Sequence, residues 1–365
     1  MKFTIDRESL LKPLQQVIGV VERRQTLPVL GNLLVVAGKG QLQMTATDLE
    51  VEIQSSLSLE VKEGGEITLP ARKLIDICKA LPEEAKIELS IKDQKAQIRS
   101  GRSRFSLATL PAGDFPVVDK IHSDCEFSIA QSKLKELIDR TQFSMAQQDV
   151  RYYLNGLMLE IGSGLLRAVA TDGHRLALCD MEVDINTTNP RQVIVPRKGI
   201  QELQRLLEDS EQPVGVEIGS NHIRVRSDAV CFTSKLVDGR FPDYERVLPK
   251  GGDKHVRANR ELFRQALSRT SILSNEKYRG IRLNLEQNNI RIQAHNPEQE
   301  EADEEFEVDY QGAGLEIGFN VTYLLDALNS LDGDVVRLAL KDANSSCLVQ
   351  AGDDPGSRHV VMPLR

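Results

Sequence analysis

The chain has 365 residues, 40% of them hydrophobic and 27% charged, which is the composition of a globular protein in water and excludes a disordered or membrane-embedded one. A chain of this length exceeds one ordinary hydrophobic core and predicts two to three domains. The net charge of −8 is concentrated in one segment, because Pro297–Tyr310 carries eight acidic side chains and no basic one, so it does not exclude nucleic acid as a partner.

The first residues and the cysteines predict the compartment. The start, MKFTIDRESLL, lacks the apolar segment of a secretory signal, and no apolar run approaches the ~18 residues of a membrane span. Five scattered cysteines without a C-x-x-C pair argue against a disulfide framework and a structural zinc site. We therefore expect a cytoplasmic protein.

In chain order, one set of elements is predicted three times. Helices with apolar residues at i, i+3, i+4 and i+7 are predicted at 5–21, 129–145 and 258–273. Hairpins, with alternating apolar residues around a polar turn, follow at 32–46, 155–170 and 280–294. Second helices are predicted at 69–81, 194–207 and 317–331, and a Pro or Asn near the start of each indicates a helix boundary.

One turn marks the equivalence of the three copies. Asp48 in TATDLE and Asp172 in VATDGH lie 124 residues apart, and Asn296 lies another 124 residues on. Such a period is too long for a solenoid repeat and fits a complete α+β domain. We predict three similar domains, 1–124, 125–249 and 250–365. The Thr-Asp pair is interpreted as a turn whose Asp accepts hydrogen bonds from nearby backbone N–H groups.

An active site is the alternative interpretation of the second copy, where Asp172 would orient His174 and Arg175 would stabilise an oxyanion. No nucleophile elbow, histidine metal-ligand spacing or phosphate-binding glycine loop accompanies these residues. The acidic run has no EF-hand spacing, which favours a solvated or partner-facing edge over a metal site. We predict no catalytic residue, no metal and no cofactor. A DNA repair or modification enzyme and a DNA-free scaffold of three repeats stay open as alternatives.

Nine stretches, in order along the chain, resemble bacterial DNA polymerase sliding clamps, the β subunit of the replicative polymerase holoenzyme. They are MKFTIDRESLLKPLQQV, LPARKLIDIC, RSGRSRFSLATLPAGDFP, TQFSMAQQDVRYYLNG, ATDGHRLAL, FTSKLVDGRFPDYERVLP, ILSNEKYRGIRL, HNPEQEEA and VVMPLR. The resemblance implies an α+β chain of three clamp domains, each with two helices packed on antiparallel sheet. Two chains would form a closed ring with helices lining the hole. It also implies a non-catalytic processivity factor that tethers the replicative polymerase and other DNA-processing proteins and is opened by an ATP-dependent clamp loader.

Basic residues support a DNA partner independently of the resemblance. Five of the six predicted helix segments carry Lys or Arg, and only 320–331 has none. Attraction to phosphates without base readout would let a ring slide along duplex DNA of any sequence. By resemblance, the DNA contacts are Arg24, Arg72, Lys73, Gln148, Tyr152, Tyr153, Arg197, Lys198, Arg205 and Arg246.

The resemblance also implies a head-to-tail contact between the first domain of one chain and the third domain of the next. Its apolar core would be Phe105 and Leu107 against Ile272 and Leu273. Its charged rim would be Lys73, Arg102 and Arg104 facing Glu298, Glu300, Glu301 and Glu304. This gives the acidic run a role in assembly.

A pocket between the second and third domains is implied where partner proteins dock short linear peptides. Its residues would be Leu154, Thr171, Gly173, His174, Arg175, Leu176, Pro242, Arg246, Val247, Tyr278, Asn320, Tyr323, Ser346, Val360, Val361, Met362, Pro363, Leu364 and Arg365. Apolar side chains, including an adaptable Met, would form the groove, and backbone and Arg groups would fix the register of the peptide. Two departures are expected to alter peptide preference: the end at Arg365, where relatives often carry one more apolar residue, and Asn344 at an often apolar position.

Overall fold

A computed structural model describes residues 1–21, 27–118, 122–185, 190–352, 354 and 356–364. Two predicted site residues, Arg24 and Arg365, lie outside the described residues. None of the described helices is long and apolar enough to cross a membrane.

The first repeat contains two helices and nine described strands. The strands are β1 (Lys2–Asp6), β2 (Asn32–Gly38), β3 (Gln41–Thr47), β4 (Val51–Ser58), β5 (Val61–Glu63), β6 (Gly65–Pro70), β7 (Lys86–Lys92), β8 (Lys95–Ser100) and β9 (Ser103–Ala108). The helices are α1 (Arg7–Val17) and α2 (Ala71–Ala80). The short strand β5 has no counterpart among the described residues of the other two repeats.

The other two repeats share one order of elements: strand, helix, four strands, helix, three strands. The second has β10 (Ser123–Ala130), α3 (Gln131–Asp139), β11 (Gly156–Gly162), β12 (Leu165–Thr171), β13 (Arg175–Glu182), β14 (Arg191–Pro196), α4 (Arg197–Leu206), β15 (Pro213–Gly219), β16 (His222–Arg226) and β17 (Val230–Lys235). The third has β18 (Lys254–Asn259), α5 (Arg260–Thr270), β19 (Gly280–Glu286), β20 (Asn289–His295), β21 (Glu301–Glu307), β22 (Leu315–Asn320), α6 (Val321–Ser330), β23 (Val335–Leu340), β24 (Cys347–Ala351) and β25 (Ser357–Val361). The predicted threefold repetition is confirmed.

All six predicted helices are present, but every predicted start is too early. In each case the first predicted residues end a strand that enters the helix directly, as Ile5 in β1 and Leu69 in β6 do. Such apolar residues satisfy both the strand and the helix period, so the periodicity does not separate the two elements. The boundary signals of the second helices are correct, because Pro70 and Asn320 are N-cap residues and Pro196 immediately precedes α4.

Each helix buries one apolar face on sheet. In α1 that face is Leu10, Leu11, Leu14 and Val17, each at most 8% exposed. Buried residues with the same helical period form the equivalent face of α5, with Phe263, Ala266, Leu267 and Thr270, and of α6, with Val321, Leu324, Ala327 and Leu328. At ~25 cal/mol per Å² of buried apolar area, these faces anchor helices that are too short to be stable alone.

The strands form four antiparallel sheets that divide between two compact units. Residues 1–131 and 201–236 contain the sheets β5-β1-β7-β8-β9 and β10-β15-β16-β17-β4-β3-β2-β6. Residues 132–200 and 237–365 contain the sheets β14-β11-β12-β13-β25-β24-β23-β18 and β21-β20-β19-β22. The middle repeat contributes to both units because its strands continue into both neighbours: β17 pairs with β4, and β13 pairs with β25. The sequence did not predict these junctions.

Candidate functional site

The Thr-Asp turn has the predicted structural role in both copies. Asp48 Oδ1 accepts hydrogen bonds from the backbone N–H groups of Glu50 and Val51, at 2.9 and 2.7 Å. Asp172 Oδ1 accepts the equivalent bonds from His174 and Arg175, at 2.9 and 3.0 Å. Each turn directly precedes the strand that pairs with the next repeat: β4, which pairs with β17, and β13, which pairs with β25. The turn therefore fixes where each junction between repeats begins.

The preceding threonine closes the same turn. Thr171 Oγ1 donates to the Arg175 carbonyl at 2.6 Å and accepts from the N–H of Gly173 at 3.1 Å. Gly173 has a φ of 89°, and a Cβ there would lie 3.0 Å from the Arg151 guanidinium. Glycine at this position avoids the strain that a side chain would have at this φ and leaves room for the close approach of Arg151.

Arg175 connects the turn of the second repeat with α6 of the third. Its guanidinium donates to Asp172 Oδ2 at 3.0 Å, to Asp326 Oδ2 at 2.5 Å and to the Phe143 carbonyl at 2.6 Å. It also lies over the ring of Tyr323, 4.5 Å from the centroid. The side chain is only 13% exposed. Arg175 is thus a partly buried cross-link that holds Tyr323 beside the turn.

An apolar cluster lies beneath this turn. Leu176 and Val360 are paired across β13 and β25, and both are buried. They pack with Met158, Phe241 and Tyr244, while Tyr153 and Val247 cover the rim. Several predicted peptide-site residues are therefore neighbours in three dimensions, although they come from distant segments. Leu154 is also buried, at the end of a short 3₁₀ turn.

The C-terminal segment joins the same region to the third repeat. The Met362 N–H donates to the His174 carbonyl at 3.0 Å, and the Leu364 N–H donates to the Gly318 carbonyl at 2.9 Å. Leu364 covers Gly280 and Gly318 and is itself 43% exposed. The segment thus places Met362 and Pro363 between the turn and the sheet that leads to Asn320.

A concavity of about 510 Å³ adjoins the cluster, and we call it the Ser346 basin. Its lining is Arg246, Val247, Leu248, Pro249, Lys250, Gly252, Ala339, Leu340, Lys341, Asn344, Ser345 and Ser346. Of the predicted peptide residues, Arg246, Val247 and Ser346 meet here. Asn344 is exposed, and its N–H donates to Asp342 Oδ1 at 2.9 Å, so its amide can face a ligand. Pro242 and Tyr278 are exposed and line no concavity described here.

An ion-pair network supports the sheet under the cluster. Arg167 donates to Asp180 Oδ2 at 3.0 Å and to the Tyr244 hydroxyl at 2.9 Å, and Tyr244 donates to Glu160 at 2.5 Å. Burial, followed by the bond to Glu160, raises the pKa of Tyr244 to about 12. The hydroxyl therefore stays protonated at neutral pH and acts as a fixed donor. Sequence reasoning missed this network and Asp326, because their partners are distant in the chain.

The predicted DNA-binding residues differ in what they contact. Arg72 and Lys73 are exposed on α2, although Arg72 also donates to the Val21 carbonyl at 2.6 Å. Tyr152 is 57% exposed, and Gln148 is exposed in a left-handed conformation. Arg246 is exposed and paired with Asp243 at 2.7 Å.

The arginines of α4 are engaged with the protein. Arg205 donates to the carbonyls of Gln15 and Gln16 at 2.9 and 2.6 Å and to Glu202. Arg197 is half-buried and donates to the Met145 carbonyl at 2.9 Å. Lys198 is also half-buried. Arg205 therefore fastens α4 to α1, a role that the sequence did not indicate.

Two predicted interface segments are edge strands, each at the end of its own sheet. β9 ends one sheet, and Phe105 and Leu107 share the face opposite to Arg104. β21 ends another sheet, next to Ile272, which is 75% exposed. Glu304 lies on the inner face of β21 and accepts a hydrogen bond from Arg269 of its own chain at 2.6 Å, and its contact with a second chain stays a prediction. The acidic side chains exposed on β21 are Glu301, Asp303, Glu305 and Glu307.

No group of three or more His, Cys, Asp or Glu side chains among the described residues is arranged to hold a metal ion. Asp172 and Arg175 are engaged in the turn and the cross-link, and His174 is exposed beside them. The arrangement therefore suits the binding of an extended chain against apolar walls, rather than general acid–base chemistry.

Comparison with known proteins gives matches along the whole chain. Models of the DNA polymerase III beta subunit match 1–119 (N-terminal domain), 128–243 (central domain) and 245–365 (C-terminal domain). The chain is 60% identical to the beta sliding clamp of Pseudomonas aeruginosa and 53% identical to that of Escherichia coli, each over 100% of both chains. The crystal structure of the Pseudomonas aeruginosa subunit superposes with a TM-score of 0.97 at 59% identity, covering 100% of both chains. A Pseudomonas aeruginosa clamp bound to griselimycin also has a TM-score of 0.97, at 60% identity, covering 100% of this chain and 99% of that one.

The three similar domains and the matches along the whole chain define a DNA sliding clamp, a processivity factor of DNA replication that has no catalytic activity of its own. The chain belongs to the family of bacterial DNA polymerase III β subunits. The predicted family and the non-catalytic function are confirmed, and the alternatives of a repair enzyme and a DNA-free scaffold are wrong.

Proposed function

We propose that two chains close head to tail into a ring around duplex DNA, with the helices lining the hole. The junctions within the chain carry this proposal. β4 of the first repeat pairs with β17, the last strand of the second repeat, and the equivalent strand β13 pairs with β25, the last strand of the third. By the same rule, β21 of the third repeat pairs with the last strand of a first repeat, which is β9. Both are edge strands, so a second chain supplies the partner.

The chemistry of the two edges is complementary. On β9, Phe105 and Leu107 form one face, and Arg104 projects from the other. On β21, the inner face carries Phe306, which packs on Phe263 of α5 with 5.5 Å between ring centroids, and the outer face is acidic. Antiparallel pairing places the apolar faces together, with Ile272 and Leu273 alongside. It also places Arg102 and Arg104 opposite acidic side chains, which stabilises this pairing and disfavours pairing of two copies of β21.

Such a contact closes the assembly. The two surfaces that meet are different, so each chain offers one of each, and two chains satisfy both contacts. A closed ring leaves none of these edges exposed for further association. Lys73, Glu298 and Glu300 extend the charged rim in this arrangement.

We assign the retention on DNA to topology and weak phosphate attraction. Arg24, Arg72, Lys73, Lys198 and Arg246 supply positive charge toward the phosphates, and Gln148, Tyr152 and Tyr153 supply polar contacts. Such contacts read no bases and are screened by salt, so the ring slides along any sequence. Arg197 and Arg205 add positive potential, although their bonds to backbone carbonyls make them chiefly anchors of α4.

We assign partner docking to the surface around the second junction. Leu176, Val247, Val360, Val361 and Met362 provide apolar walls, and Arg175 holds Tyr323 at the far side. Thr171, Gly173, His174, Asn320 and Ser346 offer polar groups that fix the register of an extended peptide. The partners are the replicative polymerase subunit, the ATP-dependent clamp loader and other proteins with the same docking segment, all in the cytoplasm.

Loading on circular DNA tests the ring. The clamp, loaded with its ATP-dependent loader, is expected to stay on a nicked circle during gel filtration and to leave once that circle is linearised. Light scattering at micromolar concentration is expected to give twice the chain mass. A monomer in solution, or equal retention on linear and circular DNA, would contradict the proposal.

A further inference from the structure

A second concavity of about 550 Å³ opens on the outer face of β18, β23 and β24, and we call it the Arg337 basin. Its lining includes Arg337, Arg257, His255, Gln350 and Leu348. Arg257 and Arg337 are directly opposite each other on paired strands, and Gln350 follows opposite Arg337 on the next strand. Apolar residues, among them Val256, Leu338 and Leu348, line the basin together with the two arginines.

The two arginines form no ion pair with a described side chain, although Asp309 is bridged opposite Arg257 on its other side and is exposed there. Like charges directly opposite on neighbouring strands destabilise a sheet. The other exposed strand arginines of this unit have carboxylates, such as Arg282 with Glu316 and Arg291 with Asp303. Neither Arg257 nor Arg337 makes a side-chain hydrogen bond or ion pair with any described residue, and no acidic side chain lines the basin. The basin is therefore prepared for an anionic group from outside the chain.

The Arg337 basin is continuous with the Ser346 basin. Pro249, Gly252 and Ala339 line both concavities. Lys341 of the Ser346 basin and Arg337 are four residues apart on one stretch of chain, a distance of about 13 Å in extended conformation. An extended segment of about four residues therefore reaches from the proposed peptide site to the two arginines. Leu348 lies between the basin and the apolar cluster under that site.

We propose that the Arg337 basin binds an acidic side chain of the partner segment that flanks the docked peptide. A carboxylate accepts two parallel hydrogen bonds from one guanidinium, and Arg257 and Arg337 together form the binding site for it. Lys250 and Lys341 line the path between the basins, so the whole groove favours acidic flanking residues. The apolar residues that line the basin and its continuity with the peptide site favour a peptide over DNA as the ligand. This inference rests on the proposed docking function.

Peptide binding by fluorescence anisotropy tests the proposal. The probe is the docking segment of the replicative polymerase subunit, made as the core alone and with four extra residues at either end that contain two Glu or, as a control, two Gln. The Glu extension at one end is expected to bind roughly fivefold more tightly than its Gln control at about 50 mM salt, as for one partly exposed ion pair. The advantage is expected to fall at about 300 mM salt, where screening is stronger.

Two variants assign the effect to the basin. Arg337→Gln and Arg257→Gln are expected to remove the advantage of Glu over Gln and to leave binding of the core peptide unchanged. Each variant removes the like-charge contact between Arg257 and Arg337, so its thermal midpoint is expected to equal that of the parent protein. Arg226→Gln, which removes an exposed strand arginine on another sheet, is the matched control and is expected to keep the advantage.

The outcomes are distinct. No advantage of Glu at either end, or an advantage that persists in both variants, overturns this inference while the core peptide still binds. Loss of retention on DNA in Arg337→Gln without a change in peptide binding also overturns it and assigns the basin to DNA. Failure of the core peptide to bind at all refutes the docking function and this inference with it.

Discussion

Replacement of Arg175 by Ala tests the link between the second junction, where β13 pairs with β25, and the proposed peptide site. The change removes three charge-assisted hydrogen bonds and the contact with the Tyr323 ring. Bonds to charged groups contribute about 1.5–3 kcal/mol each when their partners stay buried. Asp326 is 32% exposed and regains water in the variant, so we expect a net loss of about 2–3 kcal/mol in the free energy of unfolding.

The loss is measurable as a shift of the thermal midpoint. Residues 132–200 and 237–365 form a unit of about 200 residues, in which 1 kcal/mol corresponds to about 2–4 °C. We therefore expect the midpoint to fall by about 4–12 °C. Arg175→Lys keeps the charge but cannot make the three bonds, so an intermediate fall is expected. Arg282→Ala, an exposed control paired only with Glu316, is expected to change stability by less than about 0.5 kcal/mol.

Peptide affinity separates positioning from stability. Without Arg175 the ring of Tyr323 loses its cationic support, and we expect the dissociation constant of a docking peptide to rise about tenfold at a temperature well below the midpoint. Dimerisation is expected to stay unchanged, because the proposed contact uses other strands. A midpoint within 2 °C of the parent (about 1 kcal/mol), together with unchanged peptide affinity, would refute this account of Arg175.

Ile272→Asp is expected to weaken dimerisation about a thousandfold, because it costs ~2 kcal/mol at each of two contacts. Sedimentation measures this change, and the exposed control Leu262→Asp on α5 is expected to dimerise like the parent. Unchanged dimerisation of Ile272→Asp would contradict the proposed interface. Burial, followed by the charge of Arg140, lowers the pKa of His359 from 6.5 to about 3. Between these two pKa values the imidazole of His359 is protonated in the unfolded chain but neutral in the folded chain. Its contribution to the free energy of unfolding is therefore complete above about pH 7.5 and is lost as the pH falls through 6.5 toward 3. Between pH 7.5 and 5.5, the free energy of unfolding of the parent protein should fall by about 1.4 kcal/mol more than that of His359→Gln, as measured by thermal unfolding. Equal losses in the two proteins would refute this prediction. Arg72→Gln with Lys198→Gln should weaken DNA binding equally for all sequences and reduce the slope of log affinity against log salt by up to about 1.8, and an unchanged slope would argue against both contacts.

Local chemistry made much of the fold predictable. The three repeats, their hairpins and the caps of the second helices follow from periodicity and from turn residues, which act within a few residues of the chain. The Asp48 and Asp172 turns followed from side-chain preference alone. The helix starts were misplaced because Ile5 and Leu69 satisfy both periods.

Contacts between distant segments were not predictable from one sequence. The pairing of β17 with β4 joins residues more than 170 positions apart, and that of β13 with β25 joins residues of different repeats. Asp326 and Arg175 are 151 positions apart, and nothing near Asp326 in the chain indicates a partner. The bonds of Arg205 to the carbonyls of Gln15 and Gln16 were not predictable either, because a basic helix face has the same sequence pattern whether it contacts phosphate or a backbone carbonyl.

The two equivalent turns have the same backbone conformation but different side chains, and this difference bears on the proposed docking site. Leu49 and Gly173 both have positive φ, 78° and 89°, so the backbone is the same. The next residues differ: Val51 is buried at the first junction, whereas Arg175 reaches α6 at the second. Leu49 bears the strain of a left-handed conformation to keep the turn, while glycine at the second turn avoids it and admits Arg151. The proposed docking surface is therefore built from side chains that the repeat itself does not require. The similarity of the two turns indicates the shared fold, and their differences support the proposed site.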